Sequence, residues 1–200
     1  MSDAGASPQP FFELVGLGAV ELGLAEVPRL QHFFESNPEY FISVNGEPAG
    51  ANEAHEELFG ELPAGWPFTK KWVIGLTGQA EDFVAMASIV SDLLAPGVWH
   101  IGLLIVATES HGTGIAQAMF RQLERWAVAG GAAWLRLGVV AGNARAERFW
   151  ERCGFVEVRR REGVPMGTKV NAVRVMAKPL NGGTRSEYLA LVPRDRPQPP

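Results

Sequence analysis

The sequence predicts a mixed α/β (α+β) domain with a mostly antiparallel sheet of six to seven strands, flanked by helices. Three observations carry that reading. Between residues 72 and 106, three apolar strand-length runs follow one another across short turn signals, as antiparallel neighbours do. From Ile115 the period changes, and Ile115, Met119, Leu123, Trp126 and Ala127 recur at helical spacing. The chain then alternates strand, helix and a closing hairpin.

Met1 to Pro10 is small, polar and interrupted by Pro8 and Pro10, so residues 1–10 read as a disordered tail. Residues 11–180 read as the domain. Phe11 to Leu17 is the first candidate strand. Ala25 to Glu35 is helical, with Pro28 tolerable in the first turn. Glu53 to Phe59 forms a short helix with Asn52 placed to cap it. Trp72 to Thr77 and Phe83 to Ser91 are strands, and Gly78 to Asp82 supplies the turn between them. Ala95-Pro96-Gly97 then turns the chain into the strand Val98 to Val106. Gly130-Gly131 ends the helix that begins at Ile115, and Trp134 to Val140 is a further strand. Asn143 caps a helix from Ala144 to Arg152, stopped by Gly154 in a left-handed turn. Phe155 to Arg160 and Ala172 to Ala177 close the sheet as a hairpin. Residues 181–200 read as a Pro- and Arg-containing tail. Its middle, Tyr188 to Val192, is apolar enough to dock on the domain or on a neighbouring subunit in a homodimer.

Composition bounds the function. With 46% hydrophobic and 20% charged residues the chain has the makings of a real core. Apolar runs such as Ile101 to Ala107 are too short to span a bilayer, and nothing near Met1 reads as a secretory signal. The single cysteine, Cys153, leaves no internal disulfide or cysteine metal cluster, so we expect no metal and a reducing, cytoplasmic setting. The net charge of −4 hides an asymmetry. Residues 101–200 carry 15 Lys and Arg against 8 Asp and Glu, so the first hundred residues sum to −11. Glu21 to Glu61 alone hold nine glutamates and one arginine. Such an acidic half suits a cationic substrate and the basic half an anionic cofactor, while the overall acidity disfavours nucleic acid.

The chemistry concentrates in His111-Gly112-Thr113-Gly114-Ile115-Ala116, between a strong strand and a strong helix. Small residues there let a ligand approach the backbone, and the first-turn N–H groups and helix dipole attract an anion such as pyrophosphate. A dinucleotide fingerprint would need glycine where Gln117 stands, and a P-loop would need a lysine that this stretch lacks. A nucleotide-binding module holding another phosphate ligand remains open on the loop alone.

The block from Val98 to Phe155 resembles the GNAT N-acetyltransferase superfamily. Its Arg/Gln-x-x-Gly-x-Gly/Ala signature falls on His111, Gly114 and Ala116. Val106 matches the end of the family's preceding strand, and Asn143, Phe149-Trp150 and Gly154-Phe155 match its following helix. The resemblance implies a GNAT-like sheet with splayed central strands, binding acetyl-CoA as cosubstrate and acetylating a small-molecule or peptide amine. It implies pantetheine pairing near Ile105 and Val106, and pyrophosphate held by N–H groups from Gly112 to Ala116, through Thr113, Gly114 and Ile115. Asn143 would hydrogen-bond the arm or the substrate side, Ala146 and Phe149 would line its path, and Arg148 or Arg152 would meet the 3′-phosphate. His100, on the strand where family members carry a Glu or His, is the candidate base, with Glu109 a second. The resemblance has two departures. His111 replaces the usual Arg or Gln, and Trp150 replaces a tyrosine that protonates the departing thiolate, a task indole cannot perform. A GNAT-like coenzyme A-binding sensor without catalysis is therefore the rival reading. Cys153 falls on the apolar face of its helix, a core position rather than an acetyl carrier.

Overall fold

The structure, a computed structural model, describes residues 12–14, 16–78 and 82–197. The expected N-terminal tail, part of the Gly78–Asp82 turn and the last three residues lie outside that range.

Eight strands form one sheet: β1 (Glu13–Leu14), β2 (Leu17–Glu21), β3 (Lys70–Thr77), β4 (Phe83–Ser91), β5 (Val98–Val106), β6 (Trp134–Val140), β7 (Val156–Met166) and β8 (Lys169–Pro179). Their spatial order is β1-β2-β3-β4-β5-β6-β8-β7. Every neighbouring pair is antiparallel except β5 and β6, which run parallel. The strand count exceeds the expected six to seven because only β1 falls within the expected first strand, Phe11–Leu17, while β2 begins at its last residue and runs on to Glu21, where no strand was expected. Gly16, at φ +77°, turns the chain so that β1 folds back on β2.

One irregularity shapes the site. The parallel pairing covers only Val98–Ile101 against Trp134–Leu137. Beyond it both strands continue, β5 to Val106 and β6 to Val140, without pairing to each other. On the other side of β5, Ser88 faces Leu103 and Ile89 faces Ile101, so Gly102 is the extra residue of a bulge. A bulge bends its strand, and here it coincides with the point where β5 and β6 part.

Helices cover both faces. α1 (Val27–Ser36), α2 (Glu39–Asn45) and α3 (Glu53–Phe59) lie on one face, where Leu30, Phe33, Phe34 and Phe41 pack on Val73, Met86 and Ile105. α4 (Ile115–Ala129) and α5 (Ala144–Arg152) lie on the other, burying Met119, Phe120, Leu123 and Trp150 against Ile74, Ala87, Ile101 and Leu137. Strand alternation explains the division: in β6, Leu135, Leu137 and Val139 face α4 and α5, while Trp134 faces away.

Sequence and structure differ at four further places. α2 is absent from the sequence reading. Pro38 opens it and Gly46, at φ +83°, ends it after only seven residues, too few for a periodic signal. Asn52 stands at the start of α3 but its side chain makes no cap bond; Glu53 instead accepts from the Gly50 N–H. The closing hairpin is longer than Phe155–Arg160 and Ala172–Ala177, because β7 is an edge strand that tolerates Pro165. Lastly, the C-terminal tail folds. Thr184 and Glu187 form a capping box for α6 (Arg185–Leu191), and Tyr188 and Val192 are buried against Val98, Trp134 and Val175 of the same chain. The apolar side chains expected to meet the domain or a second subunit pack on the domain.

Candidate functional site

β5 delivers the chain to a glycine turn at the mouth of the splay. After the 3-10 turn Thr108–Ser110, Gly112 (φ +81°) and Gly114 (φ +89°) take left-handed conformations, and α4 begins at Ile115. A Cβ built on either glycine meets no atom within 4 Å, so the backbone conformation demands glycine and the space outside is open. The 15-residue α4 therefore presents its unpaired first-turn N–H groups to an accessible surface. The Thr113 hydroxyl donates to the Ser110 carbonyl at 2.7 Å, and buried Asn37 accepts from the Thr108 N–H at 2.7 Å, tying the turn to the end of α1.

His111 acts as a clasp. Its Nε2–H donates to the Val106 carbonyl at 2.9 Å, and Nδ1 accepts from Arg145 of α5 at 2.9 Å. The Val106 carbonyl, expected to pair with a pantetheine arm, is thus engaged by the ring. Ala107 donates to the Val84 carbonyl, so the register turns the N–H and C=O of Ile105 toward Met86 on β4 and leaves those of Val106 on the splay side. An arm pairing along β5 must therefore use the Val106 N–H and either share the Val106 carbonyl with His111 or displace the ring.

A cleft of about 600 Å³ opens beside this turn. Of the residues named from the sequence, Ile105, Val106, His111, Gly112, Gly114, Ala116, Asn143, Ala146, Phe149 and Arg152 line it. Thr113 and Ile115 do not line it: the Ile115 side chain packs on the core, and Thr113 bonds the Ser110 carbonyl with its hydroxyl at 2.7 Å and with its N–H at 3.4 Å, so that N–H, expected to face a pyrophosphate, is engaged within the turn. Asn143 is both cap and bridge. Its Oδ1 accepts from the Ala146 N–H at 3.1 Å, and its Nδ2 donates to Ser43 Oγ of α2 at 3.3 Å.

A second cavity of about 300 Å³ lies across the splay, on the face of α2 and α6. His100, Gly102, Arg136, Gly138, Val173, Val175, Trp66 and Arg161 contribute to it. The two cavities share Tyr40, Leu104, Asn143, Ala146 and Trp150, so they adjoin through one wall. α2 roofs this junction because the β7–β8 turn grips its C-terminal end. Lys169 donates to the carbonyls of Ile42 and Ser43 at 2.8 and 3.0 Å, and Asn171 to that of Val44 at 2.9 Å.

Electrostatics correct the view of His100. Its Nδ1 lies 3.1 Å from the Arg136 carbonyl and 3.3 Å from Arg136 Nη1. Burial first, and then the Arg136 charge, push the imidazole pKa down to about 3. His100 is neutral at physiological pH and a weak base. Arg136 is itself buried and forms two parallel bonds to Asp195, at 2.7 and 3.0 Å. The Tyr188 hydroxyl adds a third bond to the same carboxylate at 2.7 Å. Tyr40, on the shared wall, has its phenol pKa raised by burial and then by the charges of Glu57 and Glu53, so it holds its proton.

Other expectations resolve as follows. Trp150 is 8% exposed and packs among Phe120, Phe149 and Phe155. Cys153 is buried, which raises its thiol pKa, and its S–H points to Gln117 at 3.7 Å, a core role. Glu109 and Arg148 line neither cavity. Of the nine glutamates from Glu21 to Glu61, only Glu39 lines either of these two cavities, the larger one. Among the described residues, no group of His, Cys, Asp and Glu is arranged to hold a metal, and no helix is long and apolar enough to cross a membrane. The sequence reading missed Tyr40, Ser43 and Asn37, whose only signal was the Asn37-Pro38 turn, and Arg145, Arg161 and Trp66, which carry no motif.

Comparison with protein-family profiles matches the acetyltransferase (GNAT) family over residues 21–155. Comparison with curated proteins by sequence finds no match. Among solved structures, the fold is similar to an acetyltransferase from Thermus thermophilus, at TM-score 0.64 and 20% identity, covering 84% of this chain and 99% of that one. It is also similar to the ribosomal-protein-S18-alanine N-acetyltransferase from Escherichia coli, at TM-score 0.61 and 18% identity, covering 84% and 96%. A third is spermidine N-acetyltransferase from Vibrio cholerae in complex with CoA and spermine, at TM-score 0.64 and 17% identity, covering 88% and 99%. The profile match places the chain among acyl-transferring enzymes. It belongs to the acetyltransferase (GNAT) family.

Proposed function

We propose that this protein transfers an acetyl group from acetyl-CoA to a primary amine by direct attack in a ternary complex. The observation that carries the reading is the adjacency of two cavities: one beside the glycine turn, one across the splay, with a single shared wall. The open space at Gly112 and Gly114 and the first-turn N–H groups of α4 suit the pyrophosphate of coenzyme A. Arg152, exposed on α5, suits the 3′-phosphate. The acceptor enters the smaller cavity, where its uncharged nitrogen attacks the thioester carbonyl at the shared wall. A backbone N–H on the open edge of β5 near Val106 serves the developing oxyanion.

Proton movements follow from the chain's own groups. His100 is too weak a base to take a proton from an ammonium ion, so it stands as a neutral hydrogen-bonding wall and the amine sheds its proton to solvent before attack. The thiolate leaves needing a proton. Of the five shared-wall residues, Tyr40 alone has an acidic hydrogen, and its helix, α2, covers the sheet face opposite to that covered by α5, which carries Trp150. Tyr40 is the donor in this reading; the nitrogen, left with one proton too many by its attack, releases it as the C–S bond breaks, and that proton returns through solvent to the Tyr40 phenolate. Of the acidic residues in the first half of the chain, only Glu39 lines either cleft, so that half does not hold the ammonium form directly. The lone buried thiol suits a reducing, cytoplasmic setting.

The test is acetyl-CoA-dependent thiol release with a panel of primary amines, paired with calorimetry of coenzyme A binding. Release with an acceptor supports the reading. Tight binding without turnover by any amine supports the sensor alternative, which the buried Trp150 and the weak base His100 favour. No binding defeats both.

A further inference from the structure

Resting on that reading, we infer that the acceptor is an amine that also carries a carboxylate, held by Arg161 in the second cavity.

Four arginines among the described residues are half-buried or more: Arg136, Arg159, Arg161 and Arg174. Three have partners. Arg136 is paired with Asp195, Arg159 donates to the Arg194 carbonyl, and Arg174 meets Glu147, Glu151 and Glu157. Arg161 has neither a hydrogen bond nor an ion pair to any described residue. None of its guanidinium nitrogens is sealed from the outside, so its donors can take an anionic ligand without breaking a bond within the protein.

Its direction is set by register. Arg161 lies opposite Val173 on β8, and Val173 lies opposite Val140 on β6. Directly opposed residues project from the same face of a sheet, and Val173, 8% exposed, lines the second cavity. Arg161 therefore leaves the sheet beside it and lines that cavity too. Nothing in the lining competes for it: no Asp or Glu is present, and the other cation, Arg136, is neutralised by Asp195.

The spacing describes the ligand. The reacting nitrogen sits at the β5–β6 splay, and β7 stands two strands beyond β6, roughly 10 Å across the sheet. The long Arg161 side chain can span much of that gap. Between the two ends the floor is Gly138, Val173 and Val175, small and apolar. A cavity of about 300 Å³ with a basic end, an apolar floor and a reactive end fits a short amino acid whose amine and carboxylate are separated by a few carbons. An amine with a second positive charge would meet Arg161 unfavourably.

The experiment compares glycine, β-alanine, γ-aminobutyrate and 5-aminopentanoate with their carboxamides, which keep the amine and lose the negative charge. Both transfer and binding to the coenzyme A complex are measured. Wild type should favour at least one free acid over its amide by about 10–100-fold, the worth of one charge-assisted hydrogen-bond pair. Arg161→Gln should erase that preference through KM more than kcat, and Arg161→Lys should restore part of it. Coenzyme A affinity, read on the same variants, controls for folding. Equal use of acids and amides by wild type, or an undiminished preference in Arg161→Gln, overturns the inference. If no pair supports transfer, the catalytic reading fails by itself. The binding arm still decides this one: a preference for an acid lost in Arg161→Gln upholds it, and no preference overturns it.

Discussion

Removing the Asp195 carboxylate should cost this protein a large share of its stability, although the residue belongs to the C-terminal tail. The Arg136–Asp195 pair is 4% and 2% exposed, with two parallel bonds and a third from Tyr188. Asp195→Ala leaves the guanidinium buried without its counter-charge and the Tyr188 hydroxyl without its acceptor. Breaking a buried pair from one side costs about 3–5 kcal/mol. In a domain of this size that lowers Tm by on the order of 10 °C. The pair itself need not be a net gain. Arg136→Met with Asp195→Leu, which removes both charges, should recover most of the loss. Acid sharpens the test. Burial alone would raise the Asp195 pKa, but the Arg136 bonds and charge outweigh it and hold it below the usual carboxylate value. Its contribution is therefore full above about pH 4 and lost as pH falls through the depressed folded value. The gap between wild type and Asp195→Ala should narrow over that window. Urea unfolding across pH measures all of this, and a loss under about 1 kcal/mol at neutral pH would refute the buried network.

Three further outcomes are expected. Gly114→Glu should abolish coenzyme A binding, because Gly114 adopts φ +89° and a carboxylate would enter the anion site; calorimetry on the folded variant reads it. Tyr40→Phe should lower kcat by about 10²-fold, the lower bound for a positioned acid, and the loss should shrink when both proteins carry Trp150→Tyr. An equal loss in both backgrounds would remove Tyr40 as the proton donor. His100, with a folded pKa of about 3, should take up its proton far more readily when unfolded, so wild-type stability should fall more steeply than that of His100→Gln as pH drops from about 6.5 toward 3.

What the sequence showed and what it hid have a common physical basis. Strands β3 to β6 and helices α4 and α5 are long and strongly patterned, and their ends follow the expected turn signals. The glycine turn was legible because φ values of +81° and +89° leave glycine as the residue of choice at both positions. Tyr40 was not legible. It belongs to a seven-residue helix too short for periodicity, and it reaches the site only because the β7–β8 turn, more than 120 residues later, grips that helix. At their contact Gly167 leaves no room: a Cβ there would stand 2.6 Å from the Asn45 carbonyl. The weak basicity of His100 was equally hidden, since it depends on Arg136 beside it across the parallel pairing and on burial that no local pattern announces.

The division between family and individual follows the same line through the molecule. Every residue lining the larger cleft lies between positions 37 and 152, inside the stretch that matches the family. The smaller cavity is different. Arg161, Met166, Val173 and Val175 come from β7 and β8, beyond the matched residues, and Arg136 is held by Asp195 from beyond them too. The shared part supplies the glycine turn, the splay and the wall proposed to take coenzyme A. The part outside the match supplies Arg161, Val173 and Val175 of the floor, and the clasp on α2, which under the inference above would discriminate one amine from another. Exchanging the segment after Phe155 for that of another family member should therefore leave coenzyme A binding in place while changing which acceptors are used.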